Sequence, residues 1–339
     1  MVSFEYKGKV EDFTQGYIMK AKKFRGVYVR FNTLYEKPAK GTETVEYYMF
    51  NPKGDPVGIL FILHGLGTSN IPFLLWMATH LADAGVRVIF PILPGNFTRV
   101  ADSSTSGKDF FDTDVDNATR FWEQSVVDVL SIIDHVKSQG LWVDNAHMFG
   151  FCLGGMVSVM INAIRDDFKR TIMMTVGGEM ATLMWHSPTL EYFRKSVEKM
   201  KGTGRIKYSV DDMRKMKEIF REQLGEMKRF KSVEEMQQSD IHPYLKLDPI
   251  AYAQFVDTDK IIFVEALFDK ALPLRSRKLL WEALGRPKRY IIPSGHVTWL
   301  PLQFFVARFI LQNMGIREFK KQMGVLKKME FYTMSISKS

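Results

Sequence analysis

An α/β fold, with a mostly parallel central sheet, helices on both faces and a helical cap insertion, is predicted by three features of this 339-residue sequence. From Gly58 onward, short apolar runs alternate with longer segments of helical periodicity. Strands buried on both faces and the helices that cover them read this way. One charged, Met-rich stretch, Trp185 to Lys246, interrupts the alternation. The apolar content, 46%, is enough for the large core of one domain carrying an insertion, with no second domain required.

Taken in order, Gly26 to Phe31 and Thr44 to Phe50 have strand character and predict an antiparallel edge. The turn-forming stretch Asn51-Pro-Lys-Gly-Asp-Pro56 then leads into the first parallel strand, Gly58 to Leu63. The remaining buried strands are expected at Val86 to Ile92, Ala146 to Phe151, Thr171 to Val176, Lys260 to Ala266 and Arg289 to Ile292. Between them, Phe73 to Ala84 and Thr119 to Lys137 repeat apolar residues at three- and four-residue spacing and predict covering helices. The insertion is expected to be helical between about Val210 and Phe230. The α/β core therefore spans 1–184 and 247–312, the cap 185–246, and a basic tail 313–339. The tail after Gly315 has the pattern of a basic amphipathic helix. A solvated terminal helix is the expectation for it, with contact to a partner or a membrane surface as the alternative.

The net charge of +9 is unevenly placed. The cap carries fourteen basic against ten acidic residues and the tail six against two, so these segments hold eight of the nine excess charges. Solvated basic faces, with no nucleic-acid motif beside them, argue against a nucleic-acid partner. The N-terminus has no uninterrupted apolar stretch of the signal-peptide kind, and no window reaches the roughly 18 apolar residues of a membrane span. A cytoplasmic protein is the expectation. Cys152 is the only cysteine, so no intramolecular disulfide can form, and the seven histidines are dispersed, which predicts no metal site. Neither a dinucleotide fingerprint nor a phosphate loop is present, and no cofactor is expected.

Four local patterns carry chemistry. Gly150-Phe-Cys152-Leu-Gly154-Gly155 follows an apolar strand and opens into a helical segment. A nucleophile at such a turn needs glycine-sized neighbours two positions before and after it, which are Gly150 and Gly154. A sulfur at a helix N-terminus, with an imidazole nearby, gains thiolate character. His64-Gly65-Leu66-Gly67 sits where the first parallel strand ends, placing backbone N–H groups of Leu66 and Leu153 as donors to a developing oxyanion. Asp269 follows the strand at Lys260, and His296, preceded by Ser294-Gly295, follows the last strand. Glu179, after the strand ending at Val176, competes with Asp269 for the role of acid, whereas Glu265 is the weaker candidate. Chain order is nucleophile, acid, histidine.

With these residues in place, the chain resembles the α/β-hydrolase superfamily over roughly Gly58 to Leu311. The cysteine, aspartate and histidine set resembles that of dienelactone hydrolases, which open activated lactones. The string Gly150 to Gly155 with Ser294-Gly-His296 resembles the box of polyhydroxyalkanoate synthases, which hold a growing acyl chain on sulfur. The cap has no counterpart in dienelactone hydrolases. The expected activity is hydrolysis of carboxylic esters, thioesters or lactones of a small acyl substrate through an acyl-cysteine, with acyl transfer to an alcohol or thiol, or a non-catalytic binding protein of the same fold, as alternatives.

Overall fold

The computed structural model describes residues 2–316, and the tail reading falls almost entirely outside them. Nine strands form one sheet in the order β1-β2-β3-β5-β4-β6-β7-β8-β9. β1 (Phe13–Lys20), β2 (Phe24–Asn32) and β3 (Thr44–Pro52) are antiparallel, and β3 joins β5 (Val86–Ile92) antiparallel. From there β4 (Gly58–Leu63), β6 (Ala146–Phe151), β7 (Arg170–Met174), β8 (Ile261–Ala266) and β9 (Lys288–Ile292) continue in parallel. Each expected strand lies within three residues of an observed one. β1 was not expected.

The alternation of side chains sorts each central strand into two cores. Leu60 and Ile62 of β4 join the cluster made with α1 (Ile71–Asp83) and α11 (Gln303–Asn313) on one face. Ile59, Phe61 and Leu63 join the cluster made with α2 (Val115–Ser138) and α3 (Leu153–Ile164) on the other. Every residue of β4, β5, β6 and β8 is buried, which is why these strands read as apolar runs broken only by Arg87, His147 and Glu265.

Six helices fill the chain between β7 and β8: α4 (Met180–His186), α5 (Glu191–Met200), α6 (Met213–Glu226), α7 (Val233–Gln238), α8 (Pro243–Lys246) and α9 (Pro249–Ala253). The first of these helices, α4, begins ahead of the charged stretch at Trp185. Phe193 of α5, Phe220 of α6 and Tyr244 of α8 belong to the same hydrophobic cluster as Trp122 of α2. α10 (Leu274–Ala283) connects β8 to β9. No helix among the described residues is long and apolar enough to cross a membrane.

Candidate active site

β6 ends at Phe151 and α3 begins at Leu153, so Cys152 alone turns the chain from strand to helix. Its φ of 51° and ψ of −114° lie where a residue with a Cβ is strained. Three glycines make the turn sterically feasible. A Cβ on Gly150 would fall 2.6 Å from Gly155 Cα, one on Gly154 would overlap the carbonyl of Leu63, and one on Gly155 would overlap the Val176 side chain. The Cys152 N–H donates to Met174 O at 3.1 Å, fixing the elbow to β7. The thiol itself is buried.

The His64–Gly67 loop is held against this elbow. Gly154 N–H donates to His64 O at 2.9 Å, and a Cβ on Gly65 would stand 3.2 Å from Cys152 Cβ and 2.8 Å from the Phe151 ring. The Leu66 and Leu153 N–H groups, the expected oxyanion donors, have no hydrogen-bond acceptor among the described residues. Leu153 is the first residue of α3, where an N–H has no partner within the helix. Asn70 organises the loop by accepting from Gly65 N–H at 3.0 Å and donating to the carbonyls of Gly65 and Leu66 at 3.3 and 3.0 Å. It stands at the N-cap of α1 without capping that helix with its side chain. Asn96 accepts from Gly67 N–H at 2.8 Å; Gly67 has φ +77°.

His64 is a strut of this loop. It is fully buried, its Nδ1 donates to Gly65 O at 2.7 Å, and its Nε2 accepts from Leu93 N–H at 3.0 Å. Burial lowers its pKa to about 4, with Arg99 adding to that and the Gly65 carbonyl opposing it, so the ring is neutral near pH 7.

Asp269 lies three residues beyond β8. Its Oδ1 accepts from the Ala271 and Leu272 N–H groups, both at 2.9 Å, leaving Oδ2 for His296 Nδ1 at 2.8 Å. Phe268 N–H donates to Ser294 O at 2.9 Å, joining the acid loop to the histidine loop. Thr298 Oγ1 accepts from Gly295 N–H at 2.8 Å, and Trp299 Nε1 donates to His296 O at 3.0 Å. Trp299 also meets Phe151 edge-on, and Phe151 lies 5.4 Å from the His296 ring. These contacts hold the imidazole over the elbow with Nδ1 occupied by the carboxylate.

The electrostatics of His296 follow from its neighbours. Burial disfavours the imidazolium, but the charge of Cys152, the hydrogen bond with Asp269, the hydrogen bond with Cys152 and the charge of Asp269 outweigh it, raising the pKa to about 10. Glu179 is occupied elsewhere. Its Oε2 accepts from Thr182 N–H at 3.1 Å as the cap of α4, and Arg275 stands 3.8 Å from its Oε1. Glu265 is buried between Arg277 and Arg289. His147 bonds Asn145 and His242 caps α8, while His80 and His135 pack against aromatic rings and His186 meets Lys217. No group of three or more His, Cys, Asp or Glu among the described residues is placed to hold a metal ion.

Sequence reasoning missed Asn70, Asn96, Thr298 and Trp299, which touch the site loops rather than line a motif. An asparagine just ahead of a helix reads as an ordinary cap. The only signal for a different role was its position five residues after Gly65 on a loop already suspected of binding an oxyanion.

Compared by sequence, the chain matches no family model and no curated protein. Its backbone is similar to solved structures. A cold-adapted esterase from an Arctic intertidal metagenomic library superposes with a TM-score of 0.51 at 14% identity, over 91% of this chain and 99% of that one. The acetyl xylan esterase from Paenibacillus sp. R4 gives 0.54 at 13%, over 89% of both chains. The acylaminoacyl peptidase of Pyrococcus horikoshii gives 0.57 at 14%, over 88% of this chain but 42% of that one. At such identities the likeness is one of architecture. The chain has the α/β-hydrolase fold, with a mixed, mostly parallel sheet and helices packed around it.

Proposed function

We propose that this protein is a hydrolase of carboxylic esters or thioesters that works through an acyl-cysteine at Cys152. One observation carries the reading: His296, with its Nδ1 on the buried carboxylate of Asp269 at 2.8 Å, stands 5.4 Å ring to ring from Phe151, the neighbour of Cys152, the strained residue between β6 and α3. The similarity in fold to esterases adds support.

The reacting form is a Cys152 thiolate beside the imidazolium of His296. The sulfur attacks the acyl carbon, the carbonyl oxygen takes the charge, and the Leu66 and Leu153 N–H groups donate to it. Collapse expels the alcohol or thiol, which leaves with the proton of His296. Acylation removes the charge and the hydrogen bond of Cys152, two of the causes that hold the proton on the ring. His296 then becomes a base, takes a proton from water, and the hydroxide releases the acid and restores the thiolate. Asp269 orients the ring throughout.

The test is a panel of p-nitrophenyl esters and acyl thioesters, with intact-mass measurement of the quenched enzyme. The expected result is turnover together with an acyl adduct on Cys152, both absent in Cys152→Ala. An adduct discharged only when an alcohol is added would reassign the protein to acyl transfer. Turnover unaffected by Cys152→Ala would reject the nucleophile.

A further inference from the structure

We propose that β1 is a self-association edge, through which two copies of this chain pair antiparallel and join their sheets. Among the described residues β1 is the outermost strand, bonded only to β2, and seven of its eight residues are exposed. Its outer backbone N–H and C=O groups are therefore a template for another strand. Tyr17, Ile18 and Met19 are 73%, 51% and 44% exposed, so the edge is apolar as well as unpaired.

The two ends of the sheet are protected differently. β9, at the other edge, has five residues, follows Pro287 and begins Lys288-Arg289, and proline and charge both discourage pairing. β1 reads Phe13-Thr-Gln-Gly-Tyr-Ile-Met19 before its first charge at Lys20, with no proline. Its one protective feature is the bulge at Ile18, where the register with β2 shifts between Tyr17 and Met19.

Charge selects the partner and the direction. Glu11 and Asp12 precede the strand, while Lys20 and Lys22 close it, and all four side chains belong to exposed residues. When two copies pair antiparallel, the acidic end of each strand, Glu11 and Asp12, lies against the basic end, Lys20 and Lys22, of the other. Parallel pairing would set acid against acid and base against base. The strand is self-complementary in one orientation only, so the occupant that fits it is a second copy of the same strand.

Eight residues at about 3.4 Å each give a ribbon about 27 Å long, small against a standard interface. A reversible dimer forming between about 1 and 100 µM is expected. Its charged ends make it weaken as salt is raised. The inference does not depend on the proposed chemistry, because β1 is at the far edge of the sheet from β8 and β9.

Sedimentation velocity of the full chain, at 50 and 500 mM salt, tests it with two charge-reversed variants. Glu11→Lys with Asp12→Lys makes both ends of β1 basic, and Lys20→Glu with Lys22→Glu makes both ends acidic. Each variant alone should remain monomeric at 100 µM, and an equimolar mixture should recover the dimer peak of the wild type. Circular dichroism melts should be unchanged, because the four residues are exposed. A wild type monomeric at 100 µM, variants that dimerise like the wild type, or a mixture that stays monomeric would each overturn the proposal.

Discussion

Replacing Cys152 by alanine should change the titration of His296 as well as abolish activity. The structure raises that imidazole from its ordinary 6.5 to about 10, a preference for the charged ring of about 5 kcal/mol at 1.36 kcal/mol per pH unit. Of the four causes that raise it, two belong to Cys152 and two to Asp269, and burial opposes them all. Alanine removes the sulfur's charge and hydrogen bond and leaves burial to act against Asp269 alone. We expect the midpoint to fall by more than one pH unit, equivalent to at least about 1.4 kcal/mol. The Hε1 and Cε1 resonances of His296, assigned by comparison with His296→Gln, report it directly between pH 5 and 11. The sign is fixed by the geometry: in the wild type the ring stays protonated through neutral pH and loses its proton only as pH rises toward about 10. Cys152→Ser should behave like alanine, since a neutral hydroxyl restores no charge. A midpoint that stays within a few tenths of the wild-type value in Cys152→Ala would refute the part assigned to Cys152 in raising His296.

Exchanging the acids separates their roles: Asp269→Asn should lower kcat by roughly 10³–10⁴-fold, whereas Glu179→Gln should leave kcat little changed and cost about 1 kcal/mol of stability as a weakened helix cap, read by urea unfolding. Asn70→Ala leaves the Gly65 N–H without its side-chain acceptor. It should reduce kcat more than it changes KM, with an unfolding penalty of about 1–3 kcal/mol; an unaltered kcat would mean that the loop needs no such brace. Gly155→Ala should destabilise by several kcal/mol because its methyl group overlaps Val176, and adding Val176→Ala should restore part of the melting temperature. No recovery in the double variant would place the clash elsewhere.

The parallel strands were legible because both of their faces are covered, so that β4, β5, β6 and β8 are apolar apart from Arg87, His147 and Glu265. β1 was invisible for the opposite reason. With both faces open to solvent, nothing imposes a period of two on Phe13 to Lys20. The helix that begins at Met180 could not be read because Met180 to Met184 are all buried and give no amphipathic stripe. At the site, Cys152, Asp269 and His296 could be found because backbone geometry restricts what may flank an elbow and where strand-end loops fall. Asn70 and Asn96 act through backbone groups, which any loop sequence provides, so no spacing betrays them.

The hydrophobic cluster shared by the insertion and the sheet bears on how a substrate reaches the buried thiol. Swinging the six helices away as one rigid lid would hydrate Tyr244 and Tyr252, both inaccessible now and set against Asp112 and Phe4 outside the insertion, at about 1.5–3 kcal/mol for each apolar side chain. It would also part Tyr192 from the carbonyls of Gly107 and Lys108, and Ser187 from that of Ala271. Hinged opening on that scale approaches the whole stability of a domain. Entry is therefore expected by local breathing of loops and side chains. Grafting a foreign insertion onto this sheet to alter selectivity would mean redesigning its interior as well.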